Sequence, residues 1–121
     1  MADMSKLPYI IAVDFDGTLC EDAYPEIGEP KHDMIQVIKN YRDIGCKIVL
    51  WTCRNREAMV KAVHWCREQG LEFDAVNRNI PEVQEMFGGD TRKVYADIYI
   101  DDKNVLPKEV AQFGRRVNNT K

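Results

Sequence analysis

Five polar residues stand directly after apolar runs of strand length, at three places along the chain. They are Asp14, Asp16, Thr52, Asp101 and Asp102. The apolar runs that precede them cover residues 9–13, 47–51 and 94–100. Four carboxylates gathered in one place would repel one another strongly unless a cation sat among them. Oxygen ligands select a hard ion, and Mg²⁺ is the usual ion beside phosphate. The residue types therefore predict metal-assisted chemistry on a phosphate group.

The functional groups of these residues define the reaction that they could perform. A carboxylate held beside Mg²⁺ and a phosphoryl group is a competent nucleophile. A second carboxylate two residues away can protonate the leaving oxygen and later deprotonate water. A hydroxyl and a cationic side chain can stabilise the charge on the transferring phosphoryl group. A lone Asp-x-Asp is usually a solvated loop, but the preceding strand and the matching pair at 101–102 favour the functional interpretation.

The elements that would position these residues alternate between strand and helix. Apolar runs predict four strands, over residues 9–13, 47–51, 73–76 and 94–100. Helical spacing predicts helices over residues 31–44, 55–69, 81–87 and 107–113. The stretch from Gly17 to Pro30 is interrupted by glycine and proline and is predicted to be a loop.

This alternation predicts an α/β fold with a three-layer, Rossmann-like, doubly wound parallel sheet and the strand order 4-1-2-3. Ligands of such sheets bind beyond the carboxyl ends of the strands. All five polar residues should therefore lie at the same edge of the sheet.

Three of these segments resemble motifs of the haloacid dehalogenase superfamily. Residues 14–19, DFDGTL, after an apolar strand, resemble its first motif. Thr52 after residues 48–51 resembles its second motif, and residues 101–102 after residues 98–100 resemble its fourth. The similarity covers roughly residues 9–105, which is nearly the whole domain.

The resemblance implies a phosphomonoester hydrolase with Mg²⁺ as its cofactor. Asp14 would be the nucleophile that becomes an aspartyl-phosphate, and Asp16 the general acid/base. Thr52 would hydrogen-bond the phosphoryl oxygens. The implied metal ligands are Asp14, Asp16 through its backbone carbonyl, Asp101 and Asp102. The sequence leaves open which of the last two touches the metal directly, and the family pattern favours Asp102.

The lysine of the third motif has several candidates. Lys93, eight residues before Asp101, is the first choice, although this spacing is shorter than the family usually shows. Arg78 competes for the cationic role, and Lys103 is a third choice. Two further arginines, Arg54 and Arg56, follow Thr52 closely. Together with Arg78 they are candidate substrate-binding residues, although both could also begin the next helix on a solvated face.

The composition limits the remaining possibilities. A length of 121 residues and a hydrophobic fraction of 45% predict a single globular domain, with a core over residues 9–113 and a flexible tail over 114–121. A net charge of −3 argues weakly against a general nucleic-acid binder but leaves nucleic acid open as a substrate. No apolar run reaches the roughly 18 residues of a membrane span, and no signal peptide is evident. The four cysteines form no Cys-x-x-Cys pair, so a cytoplasmic protein with free thiols is expected.

The spacing of the motifs leaves no room for a cap domain. Only 37 residues separate Asp14 from Thr52, and one helix and one strand use most of them. The expected site is therefore open to solvent, which requires either a bulky phosphorylated substrate or a homo-oligomer whose neighbouring subunit supplies a lid.

Two alternatives to the hydrolase remain. The first is a phospho-accepting signalling domain of the receiver type. A receiver carries its acceptor aspartate after the third strand, whereas that strand ends here at Val76 and Asn77. The second is a catalytically idle partner domain, against which the complete acidic set argues.

Overall fold

The chain forms an α/β structure in which strands and helices follow one another. A computed structural model describes residues 4–110. After a 3-10 turn at Met4–Lys6, the elements in chain order are β1 (Ile10–Val13), β2 (Cys20–Ala23), β3 (Glu26–Pro30), α1 (His32–Asp43), β4 (Lys47–Leu50), α2 (Arg56–Glu68), β5 (Ala75–Val76), α3 (Pro81–Phe87) and β6 (Ile98–Ile100). Residues 107–110 are helical.

The main sheet has four parallel strands in the order β5-β4-β1-β6. Strand β1 lies inside the sheet, hydrogen-bonded to β4 on one side and to β6 on the other. Parallel strands need crossover connections, and the helices between the strands provide them. The predicted α/β class with a largely parallel sheet and helices is confirmed, and the architecture is compatible with a Rossmann-like fold.

Both faces of this sheet are covered, because successive side chains of a strand point to opposite faces. Ile11 and Val13 of β1 belong to a core cluster that includes Ile38 of α1 and Cys66 of α2. The alternate residues of β1, at 10 and 12, belong to a second cluster with Val83 of α3. Burial on both faces explains why the strand reads as a continuous apolar run rather than as alternating residues.

Two aspartates fix the strands at the edge opposite their carboxyl ends. Asp74, ahead of β5, accepts a hydrogen bond from the backbone N–H of Ile48 at 2.8 Å and an ion-paired hydrogen bond from Arg42 at 2.9 Å. Asp97, ahead of β6, accepts in the same way from the backbone N–H of Ile10 at 2.7 Å. Each carboxylate thus satisfies a backbone donor at the start of a neighbouring strand, which helps to set the strand register.

The structure corrects the prediction of a loop over residues 17–30. Strands β2 and β3 form an antiparallel hairpin there. The hairpin is mostly exposed and polar, so it lacks the alternation of apolar residues that marks a half-buried strand. Gly28 allows the two strands to approach, because a Cβ at this position would lie 2.2 Å from the carbonyl oxygen of Glu21.

The predicted strand over residues 94–100 begins only at Ile98. Val94 and Ala96 are buried as expected, but the backbone N–H groups of residues 95 and 96 donate to side chains instead of to a strand. The N–H of Tyr95 donates to Asn79 at 2.7 Å, and that of Ala96 donates to the hydroxyl of Tyr99 at 3.1 Å. The apolar run thus correctly predicted that Val94 and Ala96 are buried, but its prediction of a β-strand at residues 94–97 was wrong.

The remaining predictions differ at element boundaries. The predicted strand over residues 73–76 is observed only at Ala75–Val76. The last predicted helix, over residues 107–113, is helical at 107–110, and the rest of it lies outside the described residues, as does the predicted tail. Among the helices of residues 4–110, none has the length and apolar character that crossing a membrane requires.

Candidate active site

The register of the sheet brings the ends of three strands together. Val13, the last residue of β1, is paired with Leu50 of β4 and with Ile100 of β6. Asp14 is the next residue, and its backbone N–H donates to the carbonyl oxygen of Ile100 at 2.9 Å. Asp101, the first residue after β6, therefore lies beside Asp14, the first residue after β1. Two residues 87 positions apart become neighbours because their strands are parallel and in this register.

Three carboxylates converge at this edge. One oxygen each of Asp14, Asp101 and Asp102 lie within 4.8 Å of one another, and we call these residues the acidic cluster. Two oxygen ligands on opposite sides of one Mg²⁺ lie about 4.2 Å apart, because each bond is about 2.1 Å long. The spacing and the all-oxygen donor set are therefore close to what one hard divalent cation requires.

The electrostatics of the acidic cluster show how poorly three negative charges fit there without a cation. The pKa of Asp14 is raised from 3.8 to about 7, mainly by burial and to a smaller extent by the nearby Asp101 and Asp102, against the lowering effect of the backbone N–H of Phe15. Hydrogen bonding with Asp101 and with Lys103 lowers the pKa of Asp102. The surroundings of Asp14 thus favour its protonated form, and a bound cation would favour its charged form instead.

Gly17 allows the acidic cluster to close. Its φ is +85°, and a Cβ at this position would lie 2.3 Å from Oδ2 of Asp102. A side chain here would therefore displace Asp102 as well as strain the backbone. On the other side Thr18, which is buried, donates its hydroxyl to Oδ2 of Asp14 at 3.5 Å.

The carboxylate of Asp16 is bound by an arginine and is not part of the acidic cluster. Nε of Arg54 donates to Oδ2 of Asp16 at 2.8 Å, and Nη2 donates to Oδ1 at 2.8 Å. Arg54 is only 1% exposed. Sequence reasoning offered Arg54 as a substrate ligand, but the structure places its guanidinium against Asp16, inside the protein. Asp16 raises the pKa of Arg54 through these hydrogen bonds, so the charge of Arg54 is permanent.

Thr52 is held at the end of β4 by a residue that sequence reasoning missed. Asn77 accepts from the backbone N–H of Thr52 at 2.8 Å and donates to its carbonyl oxygen at 2.9 Å. The φ of Asn77 is +54°, a left-handed conformation that asparagine tolerates better than most residues. An asparagine at a strand end was the available signal. The hydroxyl of Thr52 accepts from the backbone N–H of Arg54 at 3.1 Å, which leaves its hydrogen free to donate.

The cationic candidates differ in their places. Nζ of Lys103 lies 3.2 Å from Oδ2 of Asp102, and this contact raises the pKa of Lys103. Nζ of Lys93 instead lies 5.5 Å from the centre of the Tyr99 ring. Arg78 is exposed. Arg56, also exposed, lines a shallow cavity on α2 with residues 57, 60 and 61. Lys103, the third choice from sequence, is the candidate that contacts the acidic cluster.

An open cavity of about 640 Å³ adjoins the acidic cluster. Asp101, Asp102, Gly17 and Thr18 form one wall, and residues 30–34 at the start of α1 form another. This volume is within the range of small-molecule sites. A substrate could therefore reach Asp101 and Asp102 of the acidic cluster directly from solvent.

A solved structure of a conserved protein encoded by a locus of Bacteroides thetaiotaomicron is similar to this chain. The two share 37% sequence identity over 95% of this chain and 93% of that chain, with a TM-score of 0.73. This chain belongs to the same family as that conserved protein. No model of a protein family matches the sequence, and no curated protein matches it. The likeness thus extends over nearly the whole length of both chains.

The raised pKa of Asp14 predicts a pH-dependent stability when no divalent ion is present. Between about pH 4 and about pH 7 the unfolded chain has lost the Asp14 proton while the folded chain keeps it. The folded state therefore binds more protons, and the free energy of unfolding should fall as pH rises through this window. Urea unfolding in EDTA, followed by circular dichroism, measures it.

The Asp14→Asn variant isolates this contribution, because asparagine does not titrate. Its free energy of unfolding should fall less steeply across the same window than that of the wild type. Asp43→Asn, at an exposed position at the end of α1, is the matched control and should keep the slope of the wild type. Equal slopes for Asp14→Asn and the wild type would contradict the electrostatic description of the acidic cluster.

Proposed function

We propose that this protein is a Mg²⁺-dependent phosphomonoester hydrolase of the haloacid dehalogenase type. The observation that carries the proposal is the acidic cluster, in which Asp14 lies beside Asp101 and Asp102 at the carboxyl ends of neighbouring parallel strands. The DFDGTL sequence at residues 14–19 supports the same assignment. Asp16 lies apart from the acidic cluster on Arg54, as a carboxylate with a separate role would.

The acidic cluster would hold the metal ion. Asp14, Asp101 and Asp102 offer three carboxylate oxygens, and Asp16 would offer only its backbone carbonyl, because its carboxylate is bound by Arg54. When bound, Mg²⁺ neutralises the acidic cluster and stabilises negative charge on phosphoryl oxygens. Its presence would also keep Asp14 deprotonated at neutral pH, as a nucleophile must be.

The reaction would proceed in two steps. The carboxylate of Asp14 attacks phosphorus, the bond from phosphorus to the leaving oxygen breaks, and Asp16, which enters this step in its protonated form, gives that oxygen its proton. Asp16 then takes a proton from water, which attacks the aspartyl-phosphate and releases inorganic phosphate and free Asp14. Thr52 donates its hydroxyl hydrogen to a phosphoryl oxygen. For the cationic role, the contact with Asp102 favours Lys103 over Lys93 and Arg78.

The architecture supports a capless, three-layer, doubly wound member of this superfamily. Between β1 and β4 the described chain holds the β2–β3 hairpin and α1, and between β4 and β6 it holds α2, β5 and α3. Neither segment includes a further folded unit. With a cavity that opens to solvent, the substrate would be a bulky phosphate ester, or a second subunit would cover a smaller one.

Hydrolysis of p-nitrophenyl phosphate tests the proposal. The wild type should release phosphate with Mg²⁺ and not with EDTA. Asp14→Asn should lower kcat by a factor of about 10³ or more, because the nucleophile is lost. Asp43→Asn, far along α1 from the site, should keep the activity of the wild type.

Three outcomes would contradict the assignment. Equal activity of Asp14→Asn and the wild type would show that Asp14 is not the nucleophile. Activity that persists in EDTA would show that the reaction needs no divalent metal ion. Uptake of one phosphate per chain from acetyl phosphate without turnover would indicate a receiver instead. Circular dichroism of each variant establishes that it is folded.

Gly17→Ala tests the metal ligands through Asp102. Its matched control is Gly45→Ala, because Gly45 also has a left-handed φ, +102°, but a Cβ there would meet nothing within 4 Å. Mg²⁺ should raise the Tm of the wild type and of Gly45→Ala by binding the folded state. It should raise the Tm of Gly17→Ala much less, because the new methyl group displaces Asp102. An equal rise in all three proteins would show that Asp102 is not a ligand.

A further inference from the structure

The guanidinium of Arg54 is among the most completely bonded groups of the described chain. In addition to its two hydrogen bonds to Asp16, it donates from Nη1 to the carbonyl oxygen of Pro25 at 3.2 Å and from Nη2 to that of Glu26 at 2.8 Å. Both carbonyls belong to the β2–β3 hairpin, because Pro25 lies in its turn and Glu26 is the first residue of β3. Four of its five N–H groups are thereby occupied by the protein itself.

Aromatic rings enclose the same guanidinium. Its central carbon lies 5.1 Å from the centre of the Phe15 ring and 5.0 Å from that of the Tyr24 ring. Phe15 is fully buried, whereas Tyr24 is exposed and covers Arg54 from the solvent side. A group enclosed in this way has no free face for a substrate.

We propose that Arg54 is a positioning residue for Asp16, and that it ties the Asp16 carboxylate to the β2–β3 hairpin. This inference rests on the proposed function, because positioning matters only if Asp16 transfers protons. A bidentate pair fixes the plane of a carboxylate as well as its distance, which a single-point contact does not. Arg54 thus determines where the carboxylate meets the leaving oxygen.

Lysine should not replace arginine here. A lysine ammonium is a point charge that could keep the attraction to Asp16 but not the planar, two-point geometry. It also could not reach both oxygens of Asp16 and the two hairpin carbonyls at once. Arg54→Lys should therefore preserve the charge of the site and lose the orientation of Asp16.

The chemical consequence depends on the leaving group. Nitrophenolate is a stable anion and leaves without a proton, whereas the phenolate of unsubstituted phenyl phosphate is more basic and gains more from a general acid. If Arg54 acts through Asp16, its loss should slow phenyl phosphate hydrolysis far more than p-nitrophenyl phosphate hydrolysis. A general loss of structure would slow both equally, and loss of a substrate ligand would raise KM for both.

The test compares Arg54→Lys with the wild type on these two substrates, under conditions that measure formation of the aspartyl-phosphate through kcat/KM. For phenyl phosphate, kcat/KM should fall about 100-fold, in the range of general acid catalysis. For p-nitrophenyl phosphate it should fall less than about 10-fold, with KM unchanged. Arg42→Lys is the matched control, because Arg42 is also paired with an aspartate, Asp74, at the opposite edge of the sheet. Arg42→Lys should lower kcat/KM for the two substrates by the same factor, or leave both values unchanged.

Tyr24→Leu gives a second variant that leaves the buried ion pair in place. Because Tyr24 is exposed, its loss should keep the fold and loosen Arg54 from one side. We expect kcat/KM to fall less than in Arg54→Lys, and again to fall more for phenyl phosphate than for p-nitrophenyl phosphate. If Arg54→Lys lowered kcat/KM equally for both substrates, or raised KM with kcat unchanged, the positioning role would be overturned. A wild type that hydrolyses neither substrate would overturn the proposed function itself.

Discussion

The repulsion among Asp14, Asp101 and Asp102 is the interaction on which the site depends. Parallel pairing of β1 with β6 places Asp14 and Asp101 at neighbouring strand ends, and Asp102 is the next residue along the chain. Burial of Asp14 and, to a smaller extent, the charges of Asp101 and Asp102 disfavour its ionised form, and both effects raise its pKa. A fold that holds unfavourable charges together at one edge gains from a cation there, and the glycine at 17 removes the steric obstacle to their approach.

The second acid, Asp16, has a different electrostatic environment. It is only two residues from Asp14, yet Arg54 compensates its charge within the protein. One carboxylate is thus left for a metal ion to neutralise, whereas the other is neutralised already. Under the proposed function, this division would let the two aspartates perform different chemistry, since their surroundings rather than their types differ. The hairpin takes part in the division, because the carbonyl groups of its residues Pro25 and Glu26 accept hydrogen bonds from Arg54.

The sequence predicted what local patterns determine. Apolar runs marked β1 and β4 because both of their faces are buried, and the helical spacing marked α1 and α2. The convergence of Asp14 with residues 101–102 followed from strand polarity. The hairpin was missed because its strands are exposed and polar, and Asn77 was missed because its partner, Thr52, is distant in sequence. The place of Arg54 could not be predicted either, since it is set by contacts with Asp16 and with the hairpin.

Anomalous diffraction from a crystal of the wild-type protein soaked in Mn²⁺, which replaces Mg²⁺ at oxygen sites, tests the account most directly. The account predicts one strong peak at the carboxyl edge of the sheet, ligated by an oxygen of Asp14 and by an oxygen of Asp101 or Asp102. Asp16 should remain on Arg54 in the same crystal. A peak bound by other residues, or Asp14 and the 101–102 pair directed to separate regions, would contradict it.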